Sequence, residues 1–160
     1  MSSQGIDRTE MRELMESLPD RAELPLVVTG HSMAPFFIHC RTTVFLYKDA
    51  AYVPKRGDVV FALRPDGVFV LHRIHKILKD GSIRLNGDAQ TWTELIYPAQ
   101  IMAHVTHFIR TEGGKDRSMD SFRCRFVAWC WPSLRPIHAI HAKLSYYCRR
   151  VPYKLGIKKE

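Results

Sequence analysis

The sequence predicts a mainly β protein: a compact antiparallel sheet or barrel, preceded by a short helix and followed by a basic, partly helical tail. Two observations carry this prediction. Between residues 23 and 110, short β-type runs follow one another and are separated by turn residues, with no long helical pattern between them. Beyond residue 110 the composition becomes basic and aromatic. We therefore divide the chain into residues 1–22, 23–110 and 111–160.

Residues 6–18 are predicted to form the N-terminal helix. Asp7 stands where an N-cap residue is expected, and a turn at Pro19-Asp20 ends the pattern. The apolar positions recur at helical spacing: Met11, Leu14, Met15 and Leu18.

Six runs are then typical of β-strands: LPLVV, TVFLY, DVVFAL, GVFVLHRI, SIRLNG and IMAHVTHFI. The turn sequences KRGD, RPDG and KDG lie between them and place glycine where a left-handed conformation suits a tight turn. Because no long helix connects these runs, neighbouring strands are expected to be antiparallel.

The positive charge of the chain is concentrated in its tail. The net charge is +8; residues 1–109 hold 12 Lys/Arg and 12 Asp/Glu, whereas residues 110–160 hold 12 and 4. Ile137, Ile140, Leu144 and Tyr147 share one face of a predicted helix, and Trp129 and Trp131 stand near basic residues. The tail is predicted to contact anionic membranes through residues 123–159. The alternative is that the 137–147 helix packs on the β domain.

Several classes of protein are disfavoured by composition. The cysteines Cys40, Cys124, Cys130 and Cys148 form no CxxC pair, so we expect reduced thiols and neither a zinc site nor a disulfide framework. The polar, acidic N-terminus does not resemble a secretory signal, and the apolar stretch FVAWCW is far shorter than the roughly 20 residues of a membrane span. A cytoplasmic protein is expected, with the membrane contact peripheral.

A serine stands in a tight Gly-His-Ser-Met-Ala-Pro turn directly after the first predicted strand. Gly30 permits a sharp turn and Pro35 stiffens its exit, so the hydroxyl of Ser32 is expected at a strand end facing a cleft. A serine becomes a nucleophile when a base takes its proton and donors stabilise the oxyanion. Taken alone, Ser32 could instead cap a turn.

Three further boxes follow this turn in the order KRGDVVFAL, VLHRI and LNGDA. Together the four boxes resemble the clan of serine peptidases that includes signal peptidase I and the self-cleaving repressors. The resemblance covers residues 26 to about 108. It implies a signal peptidase-like β domain and a serine endopeptidase that binds an extended peptide by β-augmentation, cuts beside small residues and needs no cofactor or metal.

The resemblance implies a role for each residue that matches a box. Ser32 is the nucleophile, and His72, immediately before Arg73, takes the position of the general base, as in the Ser-His branch of signal peptidases. Asp88 of the NGDAQ box is implied to orient His72, because a carboxylate on the far imidazole nitrogen fixes the tautomer. Glu94 is a second candidate for this acid.

Other residues near these boxes compete for the same roles. Because alternate residues of a strand share a face, only one of His72 and His75 can face Ser32. Lys55 and Lys76 are the lysines near enough in sequence to serve as a base instead.

The residues around the nucleophile are predicted to bind the substrate. This set comprises Gly30, His31, Met33 and Pro35. Some relatives place a second oxyanion donor, a serine hydroxyl, two residues before the nucleophile. Gly30 occupies that position here, so the second donor has to come from the backbone, water or another residue.

The leading function is a cytoplasmic peptidase that removes leader segments from a peptide precursor, since no N-terminal anchor places it beside secretory substrates. A self-cleaving regulator is disfavoured, because 31 residues before Ser32 are too few for a helix-turn-helix domain and no Ala-Gly or Cys-Gly bond occurs. A non-catalytic module on the same fold, which binds peptide, membrane or nucleic acid, is the alternative from another class. No specific nucleic acid is expected.

Overall fold

The structure is a computed structural model that describes residues 7–111 and 114–130. The predicted 137–147 helix and residues 131–159 of the predicted membrane contact lie outside these described residues.

The described residues form two α-helices and one eight-stranded sheet. In chain order the elements are α1 (Arg8–Ser17), β1 (Glu23–Val27), β2 (Thr43–Tyr47), β3 (Val59–Leu63), β4 (Phe69–Ile77), β5 (Ile83–Asn86), β6 (Glu94–Ile96), β7 (Ile101–Ile109), β8 (Asp116–Ser118) and α2 (Phe122–Cys130). A short 3-10 turn, Pro98–Gln100, leads into β7.

The prediction of a mainly β, antiparallel fold is confirmed. The strands follow the order β1-β2-β7-β3-β4-β5-β6, with β8 also on β7, and every pair is antiparallel. The sheet is open. Strands β6 and β8 were not predicted, and β8 lies in the polar segment after residue 110, where the sequence shows only a Gly-Gly stretch typical of a linker.

Helix α1 agrees with its prediction, including Asp7 as the N-cap residue. The Glu10 side chain accepts a hydrogen bond from the backbone N–H of Asp7 at 3.2 Å, which stabilises the first turn. At the other end, Lys48 Nζ donates to the carbonyl oxygens of Met15 and Leu18 at 2.8 and 2.6 Å. These carbonyls have no partner inside the helix, so Lys48 fixes the end of α1 to the end of β2.

The sheet is buried on both of its faces around β3. Val59 and Phe61 belong to one apolar cluster, and Val60 and Ala62 belong to the other, as alternation along a strand requires. The first cluster lies under α1 and includes Met15, Met33, Phe37, Leu46 and Phe108. The second includes Ile74, Ile83, Leu85 and Ile96. This two-sided burial explains why β3 is apolar throughout.

Among the described residues several strand edges are open, and two of them belong to β1 and β4. Strand β1 is the first in the order and pairs with β2 alone. Strand β4 pairs with β3 from Phe69 to Arg73, whereas its pairing with β5 begins only at Arg73. Residues 69–72 of β4 therefore have one side without a neighbouring strand, and this stretch ends at His72.

Candidate active site

The turn that carries Ser32 is shaped by contacts on both sides. Gly30 has φ +94°, a left-handed conformation that favours glycine, and its backbone N–H donates to His39 Nδ1 at 2.9 Å. Beyond the serine, the backbone N–H of Phe37 donates to the carbonyl of Met33 at 2.9 Å, and both side chains are buried in the core. Ser32 itself is half-buried between these two anchors.

Ser32 and His72 line one cleft of about 390 Å³. Residues 26–29, at the end of β1, lie on one side, and residues 68–72, along the open edge of β4, lie on the other. The remaining lining residues are Arg8, Met11, Met33 and Phe61. The nucleophile and the base predicted from sequence are thus brought to the same cleft.

His72 is buried and contacts a carboxylate. Its Nδ1 lies 3.2 Å from Glu94 Oε2, while Glu94 Oε1 accepts a hydrogen bond from Arg64 Nη1 at 3.0 Å. A carboxylate can only accept, so Nδ1 carries the proton of the neutral imidazole and Nε2 keeps a lone pair. Burial lowers the pKa of His72 below its usual 6.5, and Glu94 opposes this shift. At neutral pH the ring is therefore an uncharged base.

Asp88 binds Arg73 rather than His72. The two side chains form a paired contact, with Nε to Oδ1 at 2.8 Å and Nη2 to Oδ2 at 2.7 Å, and both are almost completely buried. Both carboxylate oxygens are occupied by the guanidinium. The carboxylate in contact with His72 is Glu94, the second candidate from the sequence, and the charge of Asp88 also raises the pKa of His72.

Arg73 joins all four sequence boxes. Besides Asp88, its Nη1 donates to the carbonyl of Gly57 at 2.9 Å, and its guanidinium lies 4.9 Å from the ring centre of Phe36. Phe36 belongs to the serine turn, Gly57 to the RGD turn and Asp88 to the NGD loop. One buried side chain thus contacts three loops around His72.

The NGD loop also contacts the backbone of Ser32. The N–H of Ala89 donates to the carbonyl of Ser32 at 2.8 Å. A Cβ on Gly87 would lie 2.8 Å from that same oxygen, closer than real Cβ atoms approach, so the loop can dock only with glycine there. The Asn86 side chain holds the loop by donating to the carbonyls of Gln90 and Trp92.

The other predicted site residues are spread more widely. Met33 is buried against the cleft, whereas Gly30, His31 and Pro35 are not among the residues that line it. His31 is exposed, with its ring 4.9 Å from that of His39.

The competing bases lie away from Ser32. His75 sits at a β-bulge in β4, where the register shifts between Ile74 and Lys76, and neither His75 nor Lys76 lines the cleft. Lys55 lines a different cleft. Of these four candidates, His72 is the one that lines the cleft with Ser32.

Sequence reasoning missed several residues of the site, including the apolar residues of β1 and β4 that line the cleft. Arg64 holds the carboxylate that contacts His72, and Arg8 and Met11 from α1 line the cleft. Met11 was read only as a core position of α1. No local signal identifies Arg64, because its partner Glu94 lies 30 positions further along the chain.

A second and larger cleft of about 810 Å³ lies between the loop after β2 and α2. Tyr52 donates to Asp58 Oδ2 at 2.7 Å and stacks on His104 at 4.1 Å between ring centres. Burial raises the pKa of Tyr52 and lowers that of His104. Neither Ser32 nor His72 lines this cleft.

Comparison of the chain with protein-family models, with curated proteins and with solved structures finds no match.

Proposed function

We propose that the protein is a serine endopeptidase of the signal peptidase-like type, with Ser32 as nucleophile, His72 as general base and Glu94 as the acid that orients it. The observation that carries the proposal is the convergence of Ser32 and His72 on one cleft, with Glu94 on the far nitrogen of the imidazole. This revises the role assigned from the sequence to Asp88, which supports the site through Arg73.

The arrangement suits acyl transfer. His72 Nε2 accepts the proton of the Ser32 hydroxyl as Oγ attacks the peptide carbonyl carbon, and the resulting imidazolium is stabilised by Glu94. Collapse of the tetrahedral intermediate breaks the C–N bond, and His72 returns the proton to the leaving amine. Water, deprotonated by the same nitrogen, then hydrolyses the acyl-enzyme and frees Ser32.

The strand edges support binding of an extended peptide. The outer edge of β1 and residues 69–72 of β4 flank the cleft, and each offers backbone groups to a substrate strand. The walls are mainly apolar, including Leu26, Phe69 and Leu71. These features fit the removal of a leader segment from a peptide precursor, with the small residues beside the cut that the family resemblance implies.

The proposal can be tested by the pH dependence of active-site labelling. Because burial lowers the pKa of His72, the rate at which a fluorophosphonate labels Ser32 should rise to a plateau with a midpoint below 6.5. Mass spectrometry of the labelled peptide, from about pH 4.5 to about pH 9, measures this. His72→Gln should remove the pH-dependent labelling. A midpoint near the pKa of a lysine side chain, or labelling that does not require His72, would contradict the proposal.

The same pKa shift affects stability. As the pH falls below 6.5, His72 takes up a proton in the unfolded chain before it does so in the folded chain. The free energy of unfolding of the protein should therefore decrease as the pH is lowered from 6.5. Well above pH 6.5, His72 is neutral in both states, and its contribution to the free energy of unfolding no longer changes with pH.

We also propose that α2 attaches the peptidase to anionic membranes. Phe122, Phe126 and Trp129 stand four and three residues apart and are 83, 55 and 67% exposed. Arg123 and Arg125 lie between them and are exposed as well. Exposed aromatic residues beside arginines suit the headgroup region of an anionic bilayer. Within residues 7–111 and 114–130, neither helix has the length and apolar composition to cross a bilayer.

Vesicle co-sedimentation tests this attachment. The full chain should pellet with phosphatidylserine vesicles at low salt, and replacing all three aromatic residues with serine should weaken binding roughly tenfold or more. A variant with Trp92→Ser and Leu95→Ser, which alters exposed apolar residues outside α2, serves as the control and should bind like the wild type. Failure of the wild-type chain to pellet, or equal binding by both variants, would refute the attachment.

A further inference from the structure

Arg8 is an exposed residue on the same side of α1 as the buried methionines, and it lines the cleft that holds Ser32 and His72. Positions 8, 11 and 15 share one side of the helix; Met11 and Met15 are buried in the core, whereas Arg8, one turn before Met11, lines the cleft beside it. An apolar residue would continue this stripe more simply. The arginine stands at the point where the buried face of the helix passes from the core to open space.

Arg8 brings a fixed charge to a cleft that otherwise lacks one. Among the described residues that line the cleft, the others are apolar or uncharged polar residues and the neutral His72. None of the ion pairs found within residues 7–111 and 114–130 includes Arg8. A cation in the first turn also does not stabilise the helix, because the N-terminal end of the helix dipole is itself positive. Within the part of the chain that the structure describes, neither helix stability nor an ion pair accounts for an arginine at this position.

We infer that Arg8 is a specificity-determining residue that binds an Asp or Glu side chain of the peptide in the cleft. The inference rests on the proposed peptidase function and names its substrate class. The substrates are leader segments that carry an Asp or Glu at a fixed distance from the cleaved bond, with apolar residues that contact the apolar walls of the cleft. A guanidinium can hold a carboxylate by two hydrogen bonds, which fixes the register of the peptide relative to Ser32.

The test is a profile of cleavage sites in a peptide library prepared from a bacterial proteome, with new N-termini identified by mass spectrometry. The wild type should cut peptides in which Asp or Glu is enriched roughly threefold to tenfold at one position near the cut. Arg8→Glu should replace this preference with Lys or Arg, and Arg8→Lys should retain part of it. Because an acid suits the first turn of a helix, Arg8→Glu should keep the thermal midpoint of the wild type.

Arg12→Glu provides the matched control. Arg12 lies on the same helix, is exposed, pairs with Glu16 at 3.0 Å and does not line the cleft, so the same change of charge should leave the preference as it is. Ser32-dependent cleavage without acidic enrichment, or enrichment that survives Arg8→Glu, would overturn the inference while leaving the peptidase proposal standing. Identical profiles from the wild type and Ser32→Ala would overturn both.

Discussion

Replacing Ser32 with alanine is expected to abolish peptide cleavage without unfolding the protein. The side chain is half-buried, and the contact that fixes this residue to the NGD loop is made by its backbone carbonyl, which alanine retains. Loss of the nucleophile in a serine peptidase lowers the rate by roughly 10⁴-fold or more. Cleavage of a peptide library by the purified variant, together with its thermal midpoint, measures both effects.

Ser118→Ala is a suitable control for this change, since Ser118 is an exposed serine on β8, far along the chain from the cleft residues. It should cleave at the wild-type rate. Cleavage by Ser32→Ala at a comparable rate would remove Ser32 from the mechanism, whereas absence of cleavage by the folded wild type would favour the non-catalytic binding module.

Much of the sheet could be predicted because most of its strands have a recognisable local sequence pattern. Strands β2 and β7 have the bounds of their apolar runs, since turn residues or charged residues end each run. Strands β6 and β8 contain three residues each, too few for an alternating pattern to be read. β6 pairs with β5 and β8 pairs with β7. Such pairing depends on the assembled sheet and leaves no local pattern in a three-residue strand.

The identity of the acid beside His72 was harder to predict for the same reason. Ile74 pairs with Leu85, and Leu85 pairs with Glu94, so the register of three strands brings Glu94 alongside β4. Asp88 lies two residues after the end of β5, where Asn86 is paired with Arg73. The buried guanidinium of Arg73 therefore donates hydrogen bonds to the Asp88 carboxylate. The boxes placed Ser32 and His72 in one cleft, and the strand register decided which carboxylate contacts His72.

Glu94 and Asp88 should therefore respond differently when each loses its charge. In Glu94→Gln the residue keeps its size, but it no longer stabilises the imidazolium, and activity should fall by roughly 10² to 10⁴-fold. The free energy of unfolding should change little, because Arg64 is partly exposed and keeps its contact with Asp66. Steady-state kinetics on a cleaved library peptide and a urea titration measure the two quantities.

Asp88→Asn should show the opposite pattern. It leaves the guanidinium of Arg73 buried, with only 3% of the side chain exposed, and without its compensating charge. Removing one partner of such a pair costs about 3 kcal/mol or more of stability. Molecules that remain folded should retain most of their activity, since Glu94 still holds His72. If Asp88→Asn instead kept its stability and lost activity while Glu94→Gln cleaved normally, Asp88 would be the orienting acid and the assignment of Glu94 would be wrong.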